Sequence, residues 1–251
     1  MSSPFSFGYH LRCIIVNSAT SPSASSFSAI QSYVAAAAPE DPALDVATEA
    51  AEEFGLLIPD AMTGEFLRFV AAQAMGGSAL AGHTPTGIVM SPACGVLGVH
   101  LFRGFQKASE ASPASAVAAA HLTCIEPEIQ HQQLAKTAFK AAGVLNNAYR
   151  FLPSHPLDVI SRLASNSYDI AVAECAVEDI AATAKATLPT LRPGGVLIIL
   201  DTLLDGTIGD EECTDRRTLL AREADAAISE MENVTVARLP LGAGATIITK
   251  H

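Results

Sequence analysis

Positive charge is scarce in this 251-residue chain: 15 Lys and Arg stand against 26 Asp and Glu, for a formal net charge of −11. That balance argues against a nucleic-acid partner, because phosphate binding needs clustered Lys and Arg. The acidity reads instead as a contribution to solubility. Charge of either sign is sparse, at 16% against 49% apolar residues, which excludes a disordered chain and leaves a globular one. Paired cysteine motifs are missing. Cys13, Cys94, Cys124, Cys175 and Cys213 are odd in number, scattered and without a C-x-x-C pair. Neither a disulfide framework nor a structural zinc site is expected, and the pattern fits reduced thiols in the cytoplasm. Cys124 and Cys175 lie in apolar runs and read as small core residues. "CIIV" at 13–16 is too short for a membrane span or a signal-peptide core. A soluble, cytoplasmic protein without membrane or nucleic-acid partners is expected.

What is present reads as one α/β domain over 28–251, after a polar extension over 1–27 that contains "SATSPSASS" and is expected to be flexible. No internal repeat or second hydrophobic core is evident. Short helices are predicted over 28–38 and 42–54, the second with acidic residues near its start and Gly55 as its stop. "DAMTGEFLRFVAAQAM" carries Phe66, Phe69 and Val70 at helical spacing, and the following "GG" is expected to end that helix. Strands are then predicted over 87–90, 122–125, 147–151, 170–173 and 196–200, with helices over 95–105, 130–142, 157–164 and 176–191 between them. Runs that are apolar throughout, such as "GVLIIL", belong in a parallel sheet covered on both faces. A last helix over about 215–231 precedes "NVTVARLPLGAGATIITK", two strand-like runs whose "GAG" marks an antiparallel hairpin.

Four strings, "PDAMTGEFLRFVAAQA", "SYDIAVAECA", "LRPGGVLIILD" and "LPLGAGATIITK", occur in an order and spacing that resemble the small metal-dependent O-methyltransferases of the catechol and caffeoyl-CoA type, in their actinobacterial-like branch. The resemblance covers about 28–251. It implies a Rossmann-like methyltransferase fold, a seven-stranded, mainly parallel sheet with a C-terminal antiparallel hairpin and N-terminal helices. It also implies S-adenosylmethionine as cofactor, a small-molecule substrate, and a homodimer. A Rossmann dehydrogenase is disfavoured, because G-x-G-x-x-G is absent and the hairpin fits methyltransferases better.

The family's cofactor loop, E-x-G-x-x-x-G-x-x-G, falls on "GIVMSPACGVLGVHLF" at 87–102. Its acidic place is Val89, its first glycine Ser91, and a further glycine place Ala93. Gly95 and Gly98 remain, opening a helix whose first amides can face a carboxylate. Glycine matters in such a loop because a Cβ blocks close approach. At the end of the next strand, in "LTCIEPEIQHQQLAKTAF", Glu126 takes the position that accepts hydrogen bonds from the ribose hydroxyls. It lies 31 residues beyond Gly95, more than the ~20 of a dinucleotide fingerprint, and "QKASEASPASAVAAAH" between them holds an apparent insertion. The alternative for Glu126 is a solvated strand-end carboxylate. The adenine loop corresponds to Ser154, His155 and Pro156, and Pro156 has no N–H to donate.

The chemical centre departs further. The resemblance places a divalent cation, usually magnesium, on Glu174, Asp201 and Thr202, with Glu174 also beside the cofactor. Oxygen ligands suit such an ion. Glu174 and Asp201 read equally well as strand-end carboxylates, solvated or capping a helix. The position of the family's proton-accepting Lys is Val177, so the catalytic base is unassigned, and no spacing selects among Glu178, Asp179 and Lys185. Two readings follow. One is an O-methyltransferase acting on a small hydroxylated substrate, aromatic ones included. The other is a non-catalytic, methyltransferase-like scaffold that has lost cofactor, metal or both, favoured by Val89, Ser91, Ala93, Pro156, Thr202 and Val177.

Overall fold

The computed structural model describes residues 24–110 and 120–251. Most of the extension, Cys13, and the centre of the inserted segment lie outside the described residues. Seven strands, β1 (Thr86–Met90), β2 (His121–Ile125), β3 (Tyr149–Leu152), β4 (Tyr168–Ala173), β5 (Leu191–Ile199), β6 (Val234–Leu239) and β7 (Ala245–Lys250), form one sheet in the order β3-β2-β1-β4-β5-β7-β6. The first five pair in parallel, and β7 runs antiparallel between β5 and β6. The Rossmann-like class with a terminal hairpin is the observed architecture.

Side-chain alternation along each strand divides the core in two. Val89, Cys124, Val172 and Ile198 point to a layer containing α2 (Pro42–Glu53), α3 (Ala61–Ala81), α4 (Cys94–Glu110) and α5 (Ile129–Ala141). Ile88, Met90, Ala171, Ala173, Leu197 and Ile199 face the opposite layer, with α7 (Ile180–Thr187) and α8 (Arg216–Ser229). The N-terminal α1 (Ala24–Ala37) lies against α3, and a single turn, α6 (Pro156–Val159), follows β3.

Three expectations are corrected. The third helix does not stop at Gly76 and Gly77 but continues to Ala81, where Gly82 at φ 74° supplies the left-handed cap. Cβ positions at Gly76 and Gly77 meet nothing within 4 Å, and burial of Leu67, Ala71 and Met75 on the inner face offsets a glycine cost of roughly 1 kcal/mol each. The helix expected over 176–191 is an α-helix only over Ile180–Thr187, flanked by 3-10 turns; Pro189 lacks the amide needed to carry it further. The helix expected over 157–164 is likewise one α turn followed by a 3-10 turn.

Strands β1 and β4 are sheet neighbours although β2 and β3 intervene in sequence. Their exits form the topological switch point, the crevice in which open α/β sheets hold ligands. Ser91, Glu126, Glu174 and Asp201 stand one or two residues beyond the last residues of β1, β2, β4 and β5.

Candidate functional site

Two cavities open at the strand exits and meet at Glu174, Cys175 and Ala176. The first, of about 460 Å³, lies over β1, β2 and β4, with Ser91, Glu126, His131, His155, Pro156 and Glu174 in its wall. The second, of about 840 Å³, lies over β4 and β5, with Asp60, Glu174, Val177, Asp201, Arg217 and Gly242 in its wall.

Glu126 is buried, at 3% exposure, so it is not the solvated carboxylate that was its alternative. Its Oε1 accepts the Glu128 N–H at 2.8 Å and lies 3.0 Å from Nδ1 of His131. A carboxylate only accepts, so the proton of that contact sits on His131. Gln132 donates to the Glu126 carbonyl at 2.7 Å and fixes the strand exit from below. With one oxygen held in this way, Oε2 is the oxygen left for a ligand in the first cavity. Sequence reading missed His131 and Gln132, although "HQQ" at the start of α5 carried them.

Glu174 joins the two cavities. Its N–H continues the ladder to the Met90 carbonyl at 2.8 Å, and its Oε2 accepts the Ser91 hydroxyl at 2.7 Å. Burial pushes its carboxyl above the usual range, the Ser91 hydrogen bond opposes this, and the charges of Asp201 and Glu126 add to the rise. The Ser91 hydroxyl also accepts the Ala93 N–H at 2.9 Å. The serine that replaces a loop glycine therefore turns back to cap its own loop.

The remaining departures sort by where their side chains go. Val89 is fully buried and faces the α2–α5 layer, so an acidic side chain there would enter apolar core. Ala93 is buried, at 3% exposure, and lies outside the lining of the first cavity. Gly95 and Gly98 are explained by helix packing. A Cβ at Gly95 would lie 2.9 Å from the Ala135 Cα, and one at Gly98 would lie 2.5 Å from the Phe139 ring, both on α5. The hydrogens that a Cβ would replace face α5, and neither glycine is in the lining of the first cavity. His155 and Pro156 line the first cavity, and Ser154, placed with them by sequence, is outside the lining. Ser91 lines the first cavity, and Val89 and Ala93 are outside its lining.

At the second cavity, Val177 is buried and in the lining. Asp201 accepts the Ala243 N–H on Oδ1 at 3.2 Å. Burial raises its carboxyl, the Ala243 bond opposes this, repulsion from Asp205 adds to the rise, and the positive charge of Arg217 draws it back down. Thr202 is the clearest correction. It is 4% exposed, its hydroxyl is 2.8 Å from that of Thr246, and it is not in the cavity wall. Of the three expected metal ligands, two carboxylates reach the cavity and the third points into the hairpin. Among the described residues, no group of three or more His, Cys, Asp and Glu side chains converges as a metal site. The set does not fit the cation that the resemblance implied.

The first cavity does fit a nucleoside-bearing cation. It pairs a buried carboxylate placed for hydroxyl groups (Glu126) with a second carboxylate (Glu174), and its walls include the apolar Met90, Ile125 and Pro156.

Comparison with known proteins gives the family. A protein of Mycolicibacterium vanbaalenii, named as an O-methyltransferase, is 35% identical over 123 residues, 49% of this chain and 54% of the relative; the match thus spans about half of that relative's length. A crystal structure from Corynebacterium glutamicum superposes with TM-score 0.78 at 41% identity, covering 89% of this chain and 96% of that one. An O-methyltransferase from Bacillus cereus, solved in complex with SAH, superposes with TM-score 0.71 at 18% identity, covering 89% and 97%. The family model described as O-methyltransferase matches residues 85–251, and the chain belongs to that family.

Proposed function

We propose that this protein transfers the methyl group of S-adenosylmethionine to a hydroxyl oxygen of a small molecule. The observation that carries the reading is the shared wall at Glu174–Ala176. It places a nucleoside-sized cavity against a larger open one at the sheet's switch point. Bound in the first cavity, the cofactor would supply a methyl group on a positively charged sulfur. Glu126 Oε2 would accept the ribose hydroxyls, oriented by the hold of Glu128 and His131 on Oε1. Glu174, kept in one rotamer by Ser91, would face the cationic methionine end and take over from the acidic residue replaced by Val89. The SAH-bound Bacillus cereus neighbour supports the choice of cofactor. Holding both reactants in line is the main contribution such a site makes.

A homodimer belongs to the same reading and is supported by exposed Ile30 and Tyr33 on α1 and Phe69 and Leu80 on α3. Light scattering at micromolar concentration should give twice the chain mass. A cytoplasmic setting is supported by the free thiols of Cys94, Cys124, Cys175 and Cys213, and no described helix is long and apolar enough to cross a membrane. The activity itself is tested by incubating the protein with methyl-labelled S-adenosylmethionine and a panel of small phenols and hydroxy acids. Label should appear on oxygen in at least one product. Protein that binds the cofactor yet labels nothing would overturn the reading.

A further inference from the structure

The second cavity contains a contradiction between family pattern and structure, and its resolution is local. At the exit of β5, residues 201–205 are bound to the β6–β7 turn. The Thr202 N–H donates to the Gly244 carbonyl at 2.8 Å, and the Asp205 N–H donates to the Ala243 carbonyl at 3.0 Å. The Thr202 hydroxyl meets Thr246, itself 1% exposed, at 2.8 Å. Asp201 sits at φ 58°, a left-handed conformation uncommon for a residue with a side chain. That turn of the backbone accompanies the bond from the Ala243 N–H to Oδ1. Gly244, at φ 96°, leaves no room for a Cβ against Leu203. The two segments are tailored to each other.

A hard dication needs about six oxygen ligands in near-octahedral geometry if it is magnesium. Here the Thr202 hydroxyl is turned into the hairpin, and Asp201 and Glu174 each have one oxygen engaged by protein donors. The cavity nevertheless carries positive charge at its rim, from the exposed Arg216 and Arg217. Arg217 lines it, and among the described residues its guanidinium makes no hydrogen bond or ion pair; only its N–H is engaged, by the Asp215 cap of α8.

We propose that this site works without a resident divalent cation: Asp201 and Thr202 clamp the β6–β7 turn, and the Arg217 guanidinium takes the cation's place beside the acceptor oxygen. The assignment rests on the methyl-transfer reading for the role of Arg217, while the clamp and the missing ion stand apart from it. In the step itself the hydroxyl proton leaves to water, eased by the adjacent guanidinium. The oxygen–carbon bond forms as the carbon–sulfur bond breaks, and the sulfonium becomes a neutral thioether.

The test uses the full chain. Mn²⁺ is titrated with and without S-adenosylhomocysteine, and the free-ion EPR signal is followed. No loss of signal is expected up to millimolar metal; saturable binding below that range would overturn the proposal. Thr202→Val should lower the Tm and leave homocysteine-cofactor affinity unchanged, with Thr202→Ser close to the parent in both. An unchanged Tm for Thr202→Val would remove the clamp. With 4-nitrocatechol as probe, bound ligand should show the spectrum of its anion. Arg217→Gln should weaken binding at least about tenfold and abolish that spectrum, while Arg217→Lys should keep it in part. A spectrum unperturbed by the parent protein, or equally perturbed by Arg217→Gln, would overturn the role of Arg217. Failure of S-adenosylhomocysteine to bind would instead sink the transfer reading, with the Mn²⁺ and Tm results still deciding their own claims.

Discussion

Acidification should weaken this fold in a way traceable to one side chain. His100 lies on α4, packs against α3, and is 5% exposed. Arg68 of α3 donates its Nε–H to His100 Nδ1 at 3.2 Å, and Gly64 of α3 leaves space for the ring that any Cβ would fill. Burial, and then the positive charge of Arg68, push the imidazole from 6.5 down to about 4, while the more distant Asp41 pulls it slightly upward. A folded value below the unfolded one means that the unfolded chain binds the proton first. The neutral ring's contribution is therefore complete above about pH 6.5 and is lost progressively as pH falls toward 4. The full difference amounts to about 3 kcal/mol, of which about 2 kcal/mol is lost between about pH 7 and about pH 5. The assay is denaturant unfolding across that range for the parent and for His100→Gln, which cannot take up a proton. The parent should lose about 2 kcal/mol more than the variant. Parallel curves would refute the reasoning.

Other outcomes follow from single contacts. Gly95→Ala should force α4 from α5, because its Cβ would meet the Ala135 backbone at 2.9 Å; calorimetry should show a loss of about 1–3 kcal/mol. Asp41, at 9% exposure, takes 2.7 and 2.9 Å bonds from Arg103, which hold its carboxyl below the usual range. That stabilisation is present above about pH 4 and lost as pH falls through the lowered value, so Arg103→Met should flatten the acid limb of the stability curve. Breaking the pair at neutral pH should cost about 1–2 kcal/mol in urea unfolding, because Arg68 and the Ala43 N–H still face Asp41.

Much of this was legible in the sequence because the signals were local. Apolar runs gave the strands to within a few residues, and the glycine-marked "LGAG" gave the hairpin. The family resemblance singled out Glu126, Glu174 and Asp201, and the structure places all three just beyond strand ends. Illegible were the things decided by side-chain direction. Whether Val89 faced a ligand or a helix layer depended on strand parity at the last residues of β1. The role of Gly95 depended on how closely α5 approaches, and that of Thr202 depended on a hairpin over forty residues away. Ser91 is instructive: as a lost glycine it read as damage, but its hydroxyl joins the loop to Glu174.

The central claim is that the cavity over β1, β2 and β4 holds the adenosyl cofactor through Glu126. Calorimetric titration with S-adenosylhomocysteine tests it most directly, using the parent chain and Glu126→Ala. Saturable one-to-one binding, weakened at least about tenfold in the variant, is the predicted result. No binding to the parent, or equal binding to both, would contradict it.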